Sequence, residues 1–302
     1  MALLGDSLAS FLHYFNGYCN ILAGLDDLLG WLGEWIQMEL AGSEAEMLFR
    51  VLGNDLRWRI TRTLARGDFR VQELSEALGR PVNLVSYHLG ELRRARLVRE
   101  RRGDADARDV YYGLDLERLR ALYRQLGEEI HPAMVQCFEG ETESVRGDDD
   151  RPVRVLFLCT ENSARSQMAE GILRHLSHGR VDVASAGSRP TGVHPLAVRV
   201  LAERGIDISA NRSKSVREFM GQRFDYVITV CDRIKEECPT FPGDPQRIHW
   251  SFADPAMVVG SEEHRYWAFQ VTAKELTTMI QYLLIMIEKE KGVVLTRPGR
   301  QG

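Results

Sequence analysis

The chain has 302 residues, 44% of them apolar and 27% charged, with a formal net charge of −4. Those figures describe a soluble globular protein long enough for two separate cores. Five cysteines, an odd number in so long a chain, exclude a secreted disulfide-built scaffold and point to reduced thiols in the cytoplasm.

The charge is unevenly placed. Residues 1–43 carry acids but neither Lys nor Arg. Ser7 to Leu25 is uncharged, yet no basic segment precedes it, and His13, Asn16 and Asn20 interrupt it before Asp26 and Asp27 end it. A signal peptide or membrane span is therefore not expected, and a helical N-terminal extension is.

Residues 44–138 read as a domain of helices followed by two strands. Glu44 to Ala65 repeats apolar residues at helical spacing up to Gly67, and is expected as one helix. Val71 to Leu78, the turn Gly79-Arg80-Pro81, and Val82 to Arg94 follow as two helices around a tight turn, the helix-turn-helix pattern. On the last helix Leu84, Val85, Leu89 and Leu92 are expected inside. Asn83, Ser86, Tyr87 and Arg93 are left outside, where base edges and phosphates would lie. Leu97 to Arg101 and Val110 to Leu114 then predict a β-wing whose Arg99, Arg101, Arg102 and Arg108 suit a phosphate backbone. From Arg50 to Arg108 fourteen arginines stand against eight acids, a basic surface of the kind nucleic-acid binding requires. A solvated charged face on a helical domain is the alternative.

Residues 139–151 are acidic, polar and glycine-containing, and read as a tether. Residues 152–292 alternate strands and helices: Val153 to Leu158, Val181 to Ala186, Tyr226 to Cys231 and Arg247 to Trp250 as strands, with helices at Gln167 to Ser177, Pro195 to Arg204 and Ser261 to Glu290. That alternation predicts an α/β domain with a four-stranded parallel sheet, its site at the carboxyl end of the first strand.

The first strand runs into Cys159-Thr160-Glu161-Asn162-Ser163-Ala164-Arg165-Ser166. A strand, a tight loop and a helix start aim backbone N–H groups and a helix dipole at one point, where a tetrahedral oxyanion can sit. Cys159 supplies a nucleophile that such a field favours as thiolate. Arg165 can grip two oxyanion oxygens, and Ser166 can donate to the sulfur. The third strand ends at Cys231, with Cys238 seven residues on across a polar stretch. Asp254, in His249-Trp250-Ser251-Phe252-Ala253-Asp254-Pro255-Ala256, offers a general acid on a loop.

These motifs resemble two known families. Leu52-Gly53-Asn54-Asp55-Leu56-Arg57, Val71-Gln72-Glu73-Leu74, Val85-Ser86-Tyr87-His88-Leu89 and Val110-Tyr111-Tyr112 resemble the winged-helix repressors of the ArsR type. That resemblance implies a homodimer, paired through the winged-helix domain, on near-palindromic operator DNA. The cysteine pair that often opens the helix near Val71 in arsenite-sensing members is absent; Arg70-Val71-Gln72 stands there, and only Cys19 and Cys137 remain outside the second domain.

The Cys159–Ser166 loop resembles that of the low-molecular-weight tyrosine phosphatases and of the arsenate reductases built on the same fold. Cys231 and Cys238 resemble the latter, and Ala256 stands where the phosphatases usually have an aromatic residue. The resemblance implies that arsenate binds in the loop 160–165, that Cys159, Cys231 and Cys238 pass a disulfide outward, and that thioredoxin or a glutaredoxin-like partner reduces it. It implies no tightly bound cofactor and no metal in that chemistry. In some members a potassium ion sits near Asn162, Glu170, Ser185 and an aspartate; Lys214 stands at the last place and is expected to supply the charge instead. A phosphatase fused to a DNA-binding domain and a non-catalytic oxyanion sensor are the alternative readings.

Overall fold

The computed structural model describes residues 44–106, 108–131, 151–293 and 295. The chain divides into two compact units, Met1–Arg50 and Val51–Gly302. The extension 1–43, the tether 139–150 and Cys137 lie outside the described residues. No described helix is long and apolar enough to cross a membrane.

The expected helix from Glu44 to Ala65 is two helices, α1 (Glu44–Leu52) and α2 (Asp55–Leu64). Asn54 causes the break: its backbone is extended, and its Oδ1 accepts from Leu56 N at 3.1 Å and Arg57 N at 3.2 Å. Those bonds satisfy amides that α2's own first turn leaves open. The next two helices have the expected bounds, α3 (Val71–Leu78) and α4 (Val82–Arg94), with Gly79 closing α3 in the left-handed region at φ 61°. Leu74, Val85, Leu89 and Leu92 are buried, but Leu84 is exposed and His88 takes the inward place assigned to it. The reason is the helical stripe: 85, 88, 89 and 92 share one face, and 84 falls beside it. The wing is β2 (Val98–Arg102) and β3 (Val110–Leu114), antiparallel, with a two-residue strand β1 (Phe69–Arg70) on the far edge of β3. Helix α5 (Leu116–Ile130) follows, capped by Asp115 Oδ1 accepting from Arg118 N at 2.9 Å.

The α/β part is built on β4 (Val153–Cys159), β5 (Val181–Gly187), β6 (Tyr226–Thr229) and β7 (Gln246–His249). They form one parallel sheet in the order β5-β4-β6-β7. Central β4 has both faces covered, and Val155, Leu156, Phe157 and Leu158 are wholly buried. This accounts for a continuous apolar run in place of an alternating one. Helices α6 (Arg165–Leu176), α7 (Pro195–Ala202) and α9 (Glu262–Lys291) pack together and share that core through Met168, Leu173, Val200, Ile280 and Leu284. Strand β6 stops at Thr229, so Cys231 does not end a strand. It precedes a five-residue helix, α8 (Asp232–Glu236), formed by the polar stretch that leads to Cys238.

The wing packs on the α/β part next to β7. Asp68 N donates to His249 O at 2.7 Å, and Asp68 Oδ2 accepts from Ser251 N at 2.7 Å. The centre of this contact is Asp232, whose side chain is 1% exposed. It accepts from Ser251 Oγ at 2.8 Å, pairs with His249 Nε2 at 3.0 Å, accepts from Asp104 N at 2.7 Å and meets Arg101. Around it, Lys235 binds Glu73 at 2.7 Å and Arg70 binds Glu236 at 3.1 Å.

At the carboxyl end of the sheet, Gly187 on β5 lies opposite Cys159 in register. A Cβ on Gly187 would lie 2.6 Å from Thr160 O and 2.8 Å from Asn162 N. Gly187→Ala is therefore expected to push the loop out of place and to cost about 1–3 kcal/mol, read as a lowered urea midpoint with unchanged slope.

Candidate oxyanion-binding active site

The loop from Cys159 to Arg165 is shaped by Asn162. This residue is fully buried, with its backbone in the left-handed region at φ 49°, a conformation asparagine tolerates better than most side chains. Its Oδ1 accepts from Lys214 N at 2.7 Å and Gln167 Nε2 at 2.9 Å; its Nδ2 donates to Ser166 Oγ at 2.9 Å and Ser185 Oγ at 2.8 Å. The carbonyls of Thr160, Glu161 and Ser163 accept from Arg189, Thr191 and His194 at 2.8, 3.2 and 3.0 Å. With those carbonyls tied elsewhere, the Asn162 amide is turned toward the sulfur and donates to Cys159 Sγ at 3.0 Å.

The bonds around Asn162 have a fixed polarity. Both Nδ2 hydrogens are given away, so Ser166 Oγ, 2.9 Å from Cys159 Sγ, keeps its own hydrogen for the sulfur. Ser185 Oγ in turn donates to Glu170 Oε2 at 2.6 Å, and Lys214 Nζ reaches the same oxygen at 2.9 Å. Glu170, with a side chain 4% exposed, is also paired to Arg174 at 2.5 Å. The side chain of Asn162 is thus wholly engaged in holding the loop, which leaves its part in oxyanion binding to the backbone. Glu161 is exposed, whereas Ser163 and Thr160 are half-buried at the rim.

Arg165, at the start of α6, projects into a cleft of about 350 Å³ whose lining includes Cys159, Thr160, Cys231, Asp254 and Asp104. Its Nη2 donates to Asp254 Oδ2 at 2.6 Å, and its Nη1 donates to Phe252 O and to Asp104 Oδ2, each at 2.7 Å. Asp254 is held by its own turn, its Oδ1 accepting from Ala256 N at 3.1 Å. Cys231 shares the cleft with Cys159 and lies 3.4 Å from Thr160 Oγ1. Cys238 is half-buried beyond α8, its thiol directed at Pro239 O at 3.7 Å, and it does not line the cleft.

Burial and the loop's own groups act in opposite directions on the Cys159 anion. Burial pushes the Cys159 thiol above its ordinary value, and neighbouring Cys231 adds to this; Ser166, Arg165 and the Asn162 amide act in the opposite direction without prevailing. The physical reason is the dry interior: Cys159 is buried, and taking a thiolate out of water outweighs what the hydroxyl, the guanidinium and the amide return. Burial likewise raises Cys238, against the pull of Arg247. Burial also opposes the charge on Asp232, but His249, the Asp104 amide, Arg101 and Ser251 together hold its carboxyl well below the usual carboxylate range.

On the DNA-binding part, Asn83, Ser86, Tyr87 and Arg93 of α4 are exposed as expected. Arg93 pairs with Glu100 on the wing. Arg108 is 92% exposed and paired to Asp106 at 2.7 Å, and Arg102 is exposed. Arg101 is a correction: expected to face phosphates, it is turned into the α/β part, where it binds Ser251 Oγ at 2.8 Å, Asp104 Oδ1 at 2.9 Å and Asp232. A buried carboxylate without another strong cation is a deeper well for a guanidinium than solvent is. Asp104 was not anticipated at the cleft, because nothing within Gly103-Asp104-Ala105-Asp106 signals a partner sixty residues away.

Residues 154–292 match the family model described as low molecular weight phosphotyrosine protein phosphatase, and residues 54–100 match the bacterial regulatory protein, arsR family. An arsenate reductase of Halalkalibacterium halodurans is 39% identical over 127 residues, 42% of this chain and 91% of that protein. An arsenate reductase of Bacillus subtilis is 39% identical over 122 residues, 40% of this chain and 88% of that protein. A solved structure of an arsenate reductase in the oxidized state aligns with 44% of this chain and 98% of its own at 29% identity, with a TM-score of 0.39. Through residues 154–292 this chain belongs to the arsenate reductases of the low-molecular-weight phosphatase family, and it carries an arsR-family regulatory domain ahead of them.

Proposed function

We propose that the protein reduces arsenate to arsenite by a cascade of three thiols, and that its arsR-type domain represses transcription from operator DNA. The observation that carries the first half is the presence of Cys159, Cys231, Arg165 and Asp254 around a single cleft. In a phosphatase the second thiol would have no task there.

Arsenate binds against the loop amides of residues 160–165 and the Arg165 guanidinium. The Cys159 thiolate forms a bond to arsenic, and Asp254 gives a proton to the oxygen that leaves as water. Cys231 then attacks the Cys159 sulfur. The sulfur–arsenic bond breaks with its electron pair going to arsenic, which departs as arsenite, while the two sulfurs are oxidised to a disulfide. Cys238 attacks Cys231, returning Cys159 as a thiolate. The Cys231–Cys238 disulfide is finally reduced by an external dithiol, thioredoxin or a glutaredoxin-like protein, so that no tightly bound cofactor is needed.

The last exchange needs movement. Helix α8 lies between Cys231 and Cys238, and Cys231 lines the cleft whereas Cys238 does not. Opening α8 would bring the two sulfurs together and relieve the burial that raises the Cys238 thiol. Asn83, Ser86, Tyr87, Arg93, Arg102 and Arg108 form the DNA-facing set. Kinship with the arsR family favours a homodimer made through this domain.

Arsenate-dependent oxidation of a coupled dithiol is expected to vanish in Cys159→Ser. Cys231→Ser should stop after binding with no disulfide, and Cys238→Ser after one turnover with a Cys159–Cys231 bond found by peptide mapping. If Cys231→Ser instead keeps both steady turnover on arsenate and hydrolysis of an aryl phosphate, the chain is a phosphatase. If wild type turns over neither, the loop is a sensor.

Lys214 supplies the positive charge beside Glu170 that a bound cation supplies elsewhere, since its Nζ already lies 2.9 Å from Glu170 Oε2. Turnover of the wild type should accordingly be the same in sodium and in potassium buffers. Lys214→Ala should lose activity several-fold and regain part of it with potassium; clear stimulation of the wild type by potassium would refute this role.

A further inference from the structure

We propose that Asp104, carried on the wing of the DNA-binding part, is a gating residue of the oxyanion site: its carboxylate and the incoming oxyanion compete for Arg165, so an occupied cradle unseats the wing. This rests on the reading of the Cys159–Arg165 loop as an oxyanion site.

Three observations converge. Asp104 Oδ2 lies 2.7 Å from Arg165 Nη1, and Asp104 lines the same cleft as Cys159 and Cys231. The guanidinium also binds Asp254 at 2.6 Å and is itself only 8% exposed, so two carboxylates already share one buried cation. An oxyanion beside Cys159 would be a third negative group on that cation, and like charges at such separations repel strongly where water is excluded. Asp254 belongs to the chain segment of the site and is fixed by its own turn. Asp104 is the more removable of the two, since it sits on a hairpin tip between β2 and β3.

What seats the wing is equally specific. Asp104 N donates to Asp232 Oδ2 at 2.7 Å, and Arg101 bridges Asp104 Oδ1, Ser251 and Asp232. The seated wing therefore holds Arg101 away from any duplex. Release of Asp104 frees both the cradle cation and a wing arginine suited to phosphate. Because binding free energies are reciprocal, the factor by which the seated wing weakens the oxyanion equals the factor by which the oxyanion weakens the seat.

The test uses the full chain with inorganic phosphate as the probe, reading protection of Cys159 from iodoacetamide by peptide mass. Asp104→Asn is expected to lower the half-protecting phosphate concentration about five- to tenfold. Arg101→Gln, which loosens the seat from outside the cleft, should shift it in the same direction. In the wild type, phosphate should speed amide exchange of the segment containing the Asp104 N–H. Equal protection of wild type and Asp104→Asn, or a higher phosphate requirement in the variant, overturns the gate and makes Asp104 neutral or a helper of the substrate. Unchanged or slower exchange in the wing overturns it too. If phosphate protects Cys159 in no variant, the oxyanion reading of the loop fails with it, whereas protection that ignores Asp104 sinks the gate alone.

Discussion

The buried amide of Asn162 is the constraint on which the catalytic half depends. One side chain accepts from two groups and donates to two more, all at 2.7–2.9 Å. This locks a left-handed backbone that would otherwise cost free energy. The same bonds set the curvature of the loop, hold the 213–214 segment against it and orient the Ser166 hydroxyl toward Cys159. A fully satisfied buried network of this kind specifies one geometry, because each partner lost leaves another polar group unpaired in a dry interior. Gly187 completes the arrangement from the neighbouring strand by having no side chain where the loop passes.

A second buried polar group, Asp232, does for the wing what Asn162 does for the loop. Its carboxylate is kept ionised inside the protein by His249, Ser251, the Asp104 amide and Arg101, and removing one member of such a set leaves an uncompensated charge. Asp232 is also the residue after Cys231 and the first of α8. The second thiol and the wing are thus positioned by the same anchor. Helix α8 and the seated wing therefore meet on adjoining atoms, which gives the fusion of the two domains a physical content beyond a shared chain.

Much of this was legible in the sequence because it is local. Helices α3 and α4 have the bounds their apolar spacing predicts, and β4 is the buried run it was read to be. The Cys159–Arg165 motif and its flanking elements were readable from order alone, since strand, loop and helix start define the cradle. What escaped had causes beyond local pattern. A capping asparagine split a continuous helical repeat at Asn54. The five-residue α8 is too short to declare a period. Arg101 and Asp104 are ordinary charged wing residues until folding brings them to Asp232 and Arg165, contacts across more than sixty residues that no spacing encodes.

The reactivity of Cys159 shows how far local motif and whole structure can diverge. A loop at a helix start argues for a stabilised thiolate, yet burial and the nearby Cys231 raise the thiol here. Both statements concern real forces, and burial decides their balance. Asp104 and Asp254 occupy the two outer nitrogens of Arg165, and the guanidinium still acts in favour of the Cys159 anion. The guanidinium, the Asn162 amide and the Ser166 hydroxyl act together on the sulfur against the cost of its burial. The strength of the nucleophile is therefore a property of how deeply the whole fold buries the sulfur, not of the loop sequence by itself.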